Sequence, residues 1–399
     1  MFSIFAPKYV KQGRQFVKDA RKLLDYKRDL WTEAQVGGFE KEIVRLEGAV
    51  RDRDRDGVEA AAKDLDGLCG QLLPTVKNAG WRENCEVFLV AIVVALGVRT
   101  YFLQPFTIPT GSMQPTLNGI KGYPTDTPPP NALVRLFQTA ALGRGWVDVT
   151  AKSDGVVAEM VEVKRFRFFT YTQVKVVPLM DTPDGPREIP NRPIETYLVH
   201  APAGKLAESF GLSPGKFVKS GERLARGYVE TGDHVFVDKI SYHFRTPRRG
   251  DVFVFNTQDI AKMGNAGPPP RPPSQFYIKR LIGLPGDTLR IAPPELFVNG
   301  AVAVGAGFAK VMAAQNGYRG YSNAAEYKNR DGQPSYQPMP LLSSPDASLI
   351  VPAQRYWAMG DNSYHSSDSR DWGSVPERNL MGRGVFVYWP FASHWGLIR

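Results

Sequence analysis

Ser112 and Lys279 are the two residues of this sequence whose types and surroundings support nucleophilic chemistry. Ser112 lies in Ile108-Pro109-Thr110-Gly111-Ser112-Met113-Gln114-Pro115-Thr116-Leu117, directly after an apolar segment. A serine hydroxyl attacks poorly unless a base removes its proton as it does so. Lysine can be that base only when neutral, and its ordinary pKa of about 10.4 leaves roughly one molecule in 10³ neutral near pH 7. Burial lowers a lysine pKa by ~3 units or more. The stretch Phe276-Tyr277-Ile278-Lys279-Arg280-Leu281-Ile282 offers the apolar bulk that such burial needs. On strand alternation, Lys279 shares a face with Tyr277 and Leu281, while Ile278 and Arg280 point the other way.

Thr110-Gly111-Ser112 adds a second element of the same chemistry. Gly111 permits a tight turn, so the Ser112 amide and the Thr110 hydroxyl could converge on the oxyanion of a tetrahedral intermediate. Further on, Met359-Gly360-Asp361-Asn362 and Ser366-Ser367-Asp368-Ser369-Arg370 crowd small hydroxyls and charges into a short stretch. In the functional reading Ser366 orients the Lys279 amine, Asp368 and Arg370 brace the loop, and Asp361, Asn362 and Arg280 support it. Taken singly, each of these features also reads as a turn residue, a solvated strand lysine or a surface ion pair. The histidines (His200, His234, His243, His365 and His394) belong to no Gly-x-Ser-x-Gly elbow and no His-Glu-x-x-His metal motif. His365 stands next to Ser366 and reads as a spectator. No cofactor and no metal are expected.

At 399 residues the chain has room for two or three domains. Its 38 glycines and 32 prolines favour short strands and turns over a helical bundle. A formal net charge of +10 suits lipid headgroups or nucleic acid as neighbours. No nucleic-acid-binding signature is present, so proximity to a membrane is the better use of that charge. Two cysteines, Cys69 and Cys85, can form neither a disulfide framework nor a cysteine zinc site.

The elements that must position the pair follow from periodicity. Residues 14–73 carry apolar positions at three- and four-residue spacing and read as helical, broken at Gly37-Gly38 and turning at Gly57, either as a helical hairpin or as a solvated coil. Pro74 stops the last helix. Val87 to Val98 is unbroken apolar, and extension to Leu103 gives about 25 Å of helix at ~1.5 Å per residue. By itself that length fits a buried helix or a membrane span; Trp81, Tyr101 and Phe102 sit where interfacial aromatics belong. Lys77 and Arg82 precede the run and no Lys or Arg follows Arg99 until Lys121, which places the N-terminus inside and the serine outside. Residues 120–231 contain strand-like segments at 154–163 and 166–177 and read as an inserted β-rich subdomain. Short strands continue at 251–255, 275–282 and 384–389, with a proline-rich loop over 267–273.

The serine box, the Gly232-Asp233 strand, the Lys279-Arg280 box and the Gly360-Asp361-Asn362…Ser366-x-Asp368-Ser369-Arg370 box occur in an order that resembles type I signal peptidases, the membrane-bound Ser/Lys proteases. The resemblance covers residues 86–119, 232–300 and 351–399. It implies a mainly β catalytic domain of antiparallel sheets with an N-terminal helical region and one transmembrane helix. The boundaries expected are 1–82 for a cytoplasmic helical region, 84–104 for the span, 105–119 with 232–399 for the catalytic domain, and 120–231 for the insertion. Ser112 would be the nucleophile, Lys279 the general base, Thr110 and the Ser112 amide the oxyanion hole, and Ser366 the lysine-orienting group. Phe106, Met113, Tyr277 and Ile278 are candidate contacts to substrate or lipid. The implied partners are signal peptides of secreted pre-proteins, the lipid bilayer and the translocation machinery, with no nucleic acid. The implied location is the cytoplasmic membrane, single-pass, with the catalytic domain on the outer face. Departures are the long insertion, the helical N-terminus, Thr110 where serine is common, and Ser363-Tyr364-His365 in place of more polar filler. A self-cleaving Ser/Lys regulator would carry a DNA-binding domain in place of a span, and a non-catalytic scaffold would not need Ser112, Lys279 and Ser366 together.

Overall fold

The computed structural model describes residues 7–73, 79–165, 169–182, 185–188, 193–263, 275–329 and 332–398. Pro74, Lys77, residues 166–168 of the strand expected over 166–177, and the expected proline-rich loop at 267–273 lie outside them. The chain divides into two compact units, Met1–Val94 and Ala95–Arg399.

The first unit starts with the helices α1 (Lys8–Lys27), α2 (Glu33–Asp52) and α3 (Arg55–Leu72). Apolar residues at three- and four-residue spacing meet in one core: Val10, Val17 and Leu24 from α1, Phe39, Ile43 and Leu46 from α2, and Val58, Ala61 and Leu65 from α3. Thr32 starts α2 with a capping box, its hydroxyl accepting from Gln35 N while the Gln35 side chain accepts from Thr32 N. Two sequence expectations change here. Gly37 and Gly38 lie inside an unbroken α2, because burial of Phe39, Ile43 and Leu46 outweighs a helix penalty of ~1 kcal/mol per glycine. The chain turns at Arg53, left-handed at φ 57°, and Gly57 belongs to α3.

Helix α4 (Ala79–Gly97) passes into a π-helical turn, Val98–Phe102. Together, Gly80–Phe102 forms 23 residues whose most apolar 18-residue window has a mean hydropathy of 1.9, with none of that window buried by protein. At ~1.5 Å per residue it is about 35 Å long, enough to cross a hydrocarbon core of about 30 Å. It is the one described helix with that length and composition.

The second unit is built mainly of antiparallel sheets. Leu103–Thr107 emerges from the apolar helix and pairs with His234–Asp238, which pairs with Leu380–Trp389; the sheet continues through Val252–Asn256, Phe276–Gly283, Arg355–Met359 and Val375–Pro376. Its two faces bury separate cores, one on Ile108, Leu117, Val235, Val237 and Val254, the other on Phe253, Phe255, Leu281 and Tyr356. A four-stranded sheet including Thr288–Ala292 and Ser348–Ile350 flanks it.

Between Asn118 and Asp233 the chain leaves this frame and returns to the same point. Asn118 N donates to Asp233 Oδ2 at 2.6 Å, and Asp233 N donates to Asn118 O at 2.8 Å. The excursion holds a three-stranded sheet (Lys121–Pro124, Arg223–Glu230, Arg144–Thr150) and a five-stranded one led by Gly155–Arg165 and Phe169–Thr182. Val157, Val174, Val176, Leu206 and Leu212 give it its own core.

Candidate active site

Ser112 sits in a single 3-10 turn, Gly111–Met113, and is 7% exposed. Three contacts fix that turn and the residues leading into it from outside. Asn362 N donates to Ser112 O at 2.9 Å, the Asn362 side-chain amide donates to Gly111 O at 3.3 Å, and Ile108 N donates to Asp233 O at 2.9 Å. Gly232 is needed at the base of the loop: a Cβ there would lie 1.7 Å from Ile108 O. Gly119 is needed where the loop closes, since its Cβ would lie 2.2 Å from the Thr110 carbonyl carbon. The Gly232-Asp233 pair therefore acts on the serine loop and not only on its own strand.

Lys279 lies mid-strand in Phe276–Gly283, opposite Phe253, with Arg280 opposite Val252 and Met359. Its Nζ is 2.7 Å from Ser112 Oγ and 5.8 Å from the Tyr277 ring centre. Burial pushes the amine down to about 8; Asp368 raises it, Arg370 lowers it, and Asp361 raises it again. When charged, the amine donates to Ser112 Oγ; when neutral, it can accept the hydroxyl proton. Thr110 Oγ1, on the solvent side, is 3.4 Å from Ser112 Oγ.

Two buried ion pairs hold the loops that meet here. Arg280 donates to Asp361 through Nε at 2.7 Å and a terminal nitrogen at 2.6 Å, and also reaches Thr116 Oγ1 at 3.0 Å and Gly250 O at 2.8 Å. Arg370 pairs with Asp368 in the same two-pronged way at 2.8 Å each, and donates to Ser322 O and Ser363 O at 2.6 and 2.5 Å. All four side chains are essentially removed from solvent. Tyr321 is buried within reach of both pairs. Burial, with the Asp361 carboxylate facing it, pushes its phenol well above the ordinary value, so it remains protonated.

The structure thus brings Ser112, Lys279, Thr110, Asp361, Asn362, Asp368, Arg370 and Arg280 into one neighbourhood. Two expectations are corrected. Ser366 is buried, yet its Oγ has no hydrogen-bond partner, so the bond expected to the Lys279 amine is absent. It packs instead against Gly360, where a Cβ would lie 2.2 Å from Ser366 Oγ and 2.5 Å from Ser112 O. Met113 is fully buried beside Ile108, Leu117 and Val235 and can touch neither substrate nor lipid. Phe106, Tyr277 and Ile278 are half-buried, and Phe106 packs edge-on to Phe276 with ring centres 5.6 Å apart. His365 faces Glu326 at 4.0 Å. Sequence reasoning missed Thr116, Tyr321, Ser322 and Ser363. Thr116 and Ser363 were legible in principle, Thr116 being four residues beyond Ser112 in the same box and Ser363 standing inside the Gly360–Arg370 box; Tyr321 and Ser322 sit in a segment with no recognisable spacing. Among the described residues no cluster of His, Cys, Asp or Glu is arranged to hold a metal.

Residues 225–389 match the family model described as signal peptidase, peptidase S26. A probable signal peptidase I-1 from Synechocystis is 32% identical over 171 residues, covering 42% of this chain and 67% of the relative. The chain belongs to the signal peptidase family. Signal peptidase I of Leptolyngbya laminosa is 33% identical over 162 residues, 41% of this chain and 63% of its own length. That of Pseudomonas aeruginosa is 32% identical over 191 residues, 41% of this chain and 61% of its own. The chain thus spans a little under two thirds of both. The matched signal peptidase segment contains Lys279, Arg280 and the Gly360–Arg370 box; Ser112 lies outside it and joins them through the fold.

Proposed function

We propose that this protein is a membrane-bound serine endopeptidase that removes N-terminal signal peptides from exported pre-proteins after small residues, at Ala-x-Ala-like sites. The observation that carries the reading is the 2.7 Å approach of a buried Lys279 amine to Ser112 Oγ. Neutral Lys279 takes the Ser112 proton as Oγ attacks the scissile carbonyl, and the tetrahedral oxyanion is met by the Ser112 amide and the Thr110 hydroxyl. The Lys279 ammonium then returns its proton to the leaving amine as the peptide bond breaks, leaving an acyl-serine. A water, deprotonated by Lys279, attacks that ester, and Ser112 recovers the proton when the signal peptide leaves. Asp361–Arg280 and Asp368–Arg370 hold the two loops in register.

In this reading Gly80–Phe102 crosses the cytoplasmic membrane once, with residues 1–79 inside and the catalytic domain outside. A signal peptide's apolar stretch lies in the bilayer and its cleavage site emerges at the outer surface. Ser112, ten residues beyond Phe102, meets it there. Phe106, Tyr277 and Ile278 are the candidate contacts to substrate or lipid, and the translocation machinery is a candidate partner.

Detergent-solubilised wild type, Ser112→Ala and Lys279→Ala are compared on a pre-protein with an Ala-x-Ala site. Cleavage by wild type alone is expected. Equal cleavage by all three would remove Ser112 and Lys279 from the reaction, and no cleavage by any would favour a scaffold.

A further inference from the structure

Charge in the helical unit is sorted by helix. Helix α1 carries seven Lys or Arg and two Asp, whereas α2 and α3 together carry five basic and nine acidic residues. On α1, Lys8, Lys11, Arg14, Lys18 and Lys22 recur at intervals of three and four, so they line up along one side of the helix. All five are exposed, while Val10, Val17, Ala20 and Leu24 are turned into the core. Neighbouring Arg21 and Arg28 pair with Glu47 and Glu40 of α2, and the stripe lies exposed beside them.

We propose that this stripe docks the helical unit on anionic lipid headgroups of the leaflet from which the apolar helix enters the membrane. The proposal rests on the reading of Gly80–Phe102 as a span. Its partner is chosen by connection as well as by charge. Helix α3 ends at Leu72 and α4 begins at Ala79, so at most ~25 Å of chain separates the unit from that helix. An anionic leaflet attracts lysine and arginine only within about a Debye length, ~10 Å, so a tethered unit is held where the attraction acts. The apolar face of α1 is occupied by the core, so docking is electrostatic, without insertion, and is weakened by salt.

The test uses the full chain in nanodiscs of phosphatidylcholine with or without phosphatidylglycerol. A fluorophore is placed on Gln15→Cys, between Lys11 and Lys18, in a Cys69→Ser, Cys85→Ser background, and quenching by headgroup-spin-labelled lipid is measured. Strong quenching is expected only with phosphatidylglycerol, and is lost at high salt. Neutralising Lys11, Arg14 and Lys18 to Gln weakens docking about fivefold per residue. Quenching that is equal in both lipids, or unchanged by the triple substitution, overturns the proposal. So does a label shielded by added RNA and indifferent to phosphatidylglycerol. A second protein, labelled at Cys85 with Cys69→Ser, is quenched by acyl-chain-labelled lipid. If Cys85 is quenched and position 15 is not, the stripe fails alone; if Cys85 is not quenched, the span fails with it.

Discussion

An amine with a pKa of about 8 titrates within the range where peptidase activity is measured. If Lys279 is the base, kcat/KM rises about tenfold per pH unit below 8 and levels off above it; a flat profile from pH 6 to 9 would remove it from that role. The same burial is a stability statement. The folded pKa is depressed from 10.5 to about 8, so below pH 8 the folded state carries a buried charge at a cost of about 3 kcal/mol. The cost disappears as pH rises from 8 to 10.5, where the folded state gives up its proton before the unfolded one. Lys279→Met is therefore expected to melt higher than wild type at pH 7, with the gap closing by pH 10.5. Ser366→Ala separates a different pair of roles. Its hydroxyl is buried without a partner, so removing it leaves the melting temperature nearly unchanged. A fall in kcat at constant Tm would show that the hydroxyl acts on the lysine during turnover, and an unchanged kcat would exclude that.

The strands and loops that carry these side chains were unevenly legible in the sequence. The lysine strand declared itself through apolar residues around a single lysine, and the Gly360–Arg370 box through its density of small hydroxyls and charges. Their pairings were less visible, because Arg280 reaches Thr116 and Gly250 across 164 and 30 residues. Met113 was misplaced for a related reason: one turn of 3-10 helix points it into the core, and no periodicity reports a turn that short. Gly37-Gly38 misled because propensity is a local cost that packing overrides. Two element-scale outcomes follow. Arg280→Met leaves Asp361 buried and uncompensated, and chemical denaturation is expected to show a loss of about 3–5 kcal/mol, much of it recovered in the Arg280→Met, Asp361→Leu double variant. Gly232→Ala forces the serine loop off Ile108 O and is expected to cost about 1–3 kcal/mol and most of the activity, although residue 232 is 120 positions from Ser112.

At the scale of the whole molecule, the helical unit, the insertion and the catalytic frame each bury a core of their own. Removing residues 1–73 is therefore expected to leave kcat/KM toward a soluble peptide within about twofold of wild type, and a larger loss would make the helical unit part of catalysis. The insertion was legible as an interruption of the motif order, but the closure of its two ends by Asn118 and Asp233 was not, since neither residue signals a partner 115 positions away. That closure has a consequence in time. Ser112 and Lys279 lie on opposite sides of the insertion, 167 residues apart. At about 5–20 residues per second of synthesis, roughly ten to thirty seconds pass between the appearance of the serine and that of its amine. If the two form the proposed dyad, the newborn chain holds throughout that interval a hydroxyl with nothing to activate it, and cleavage waits until the second half of the chain has arrived and folded.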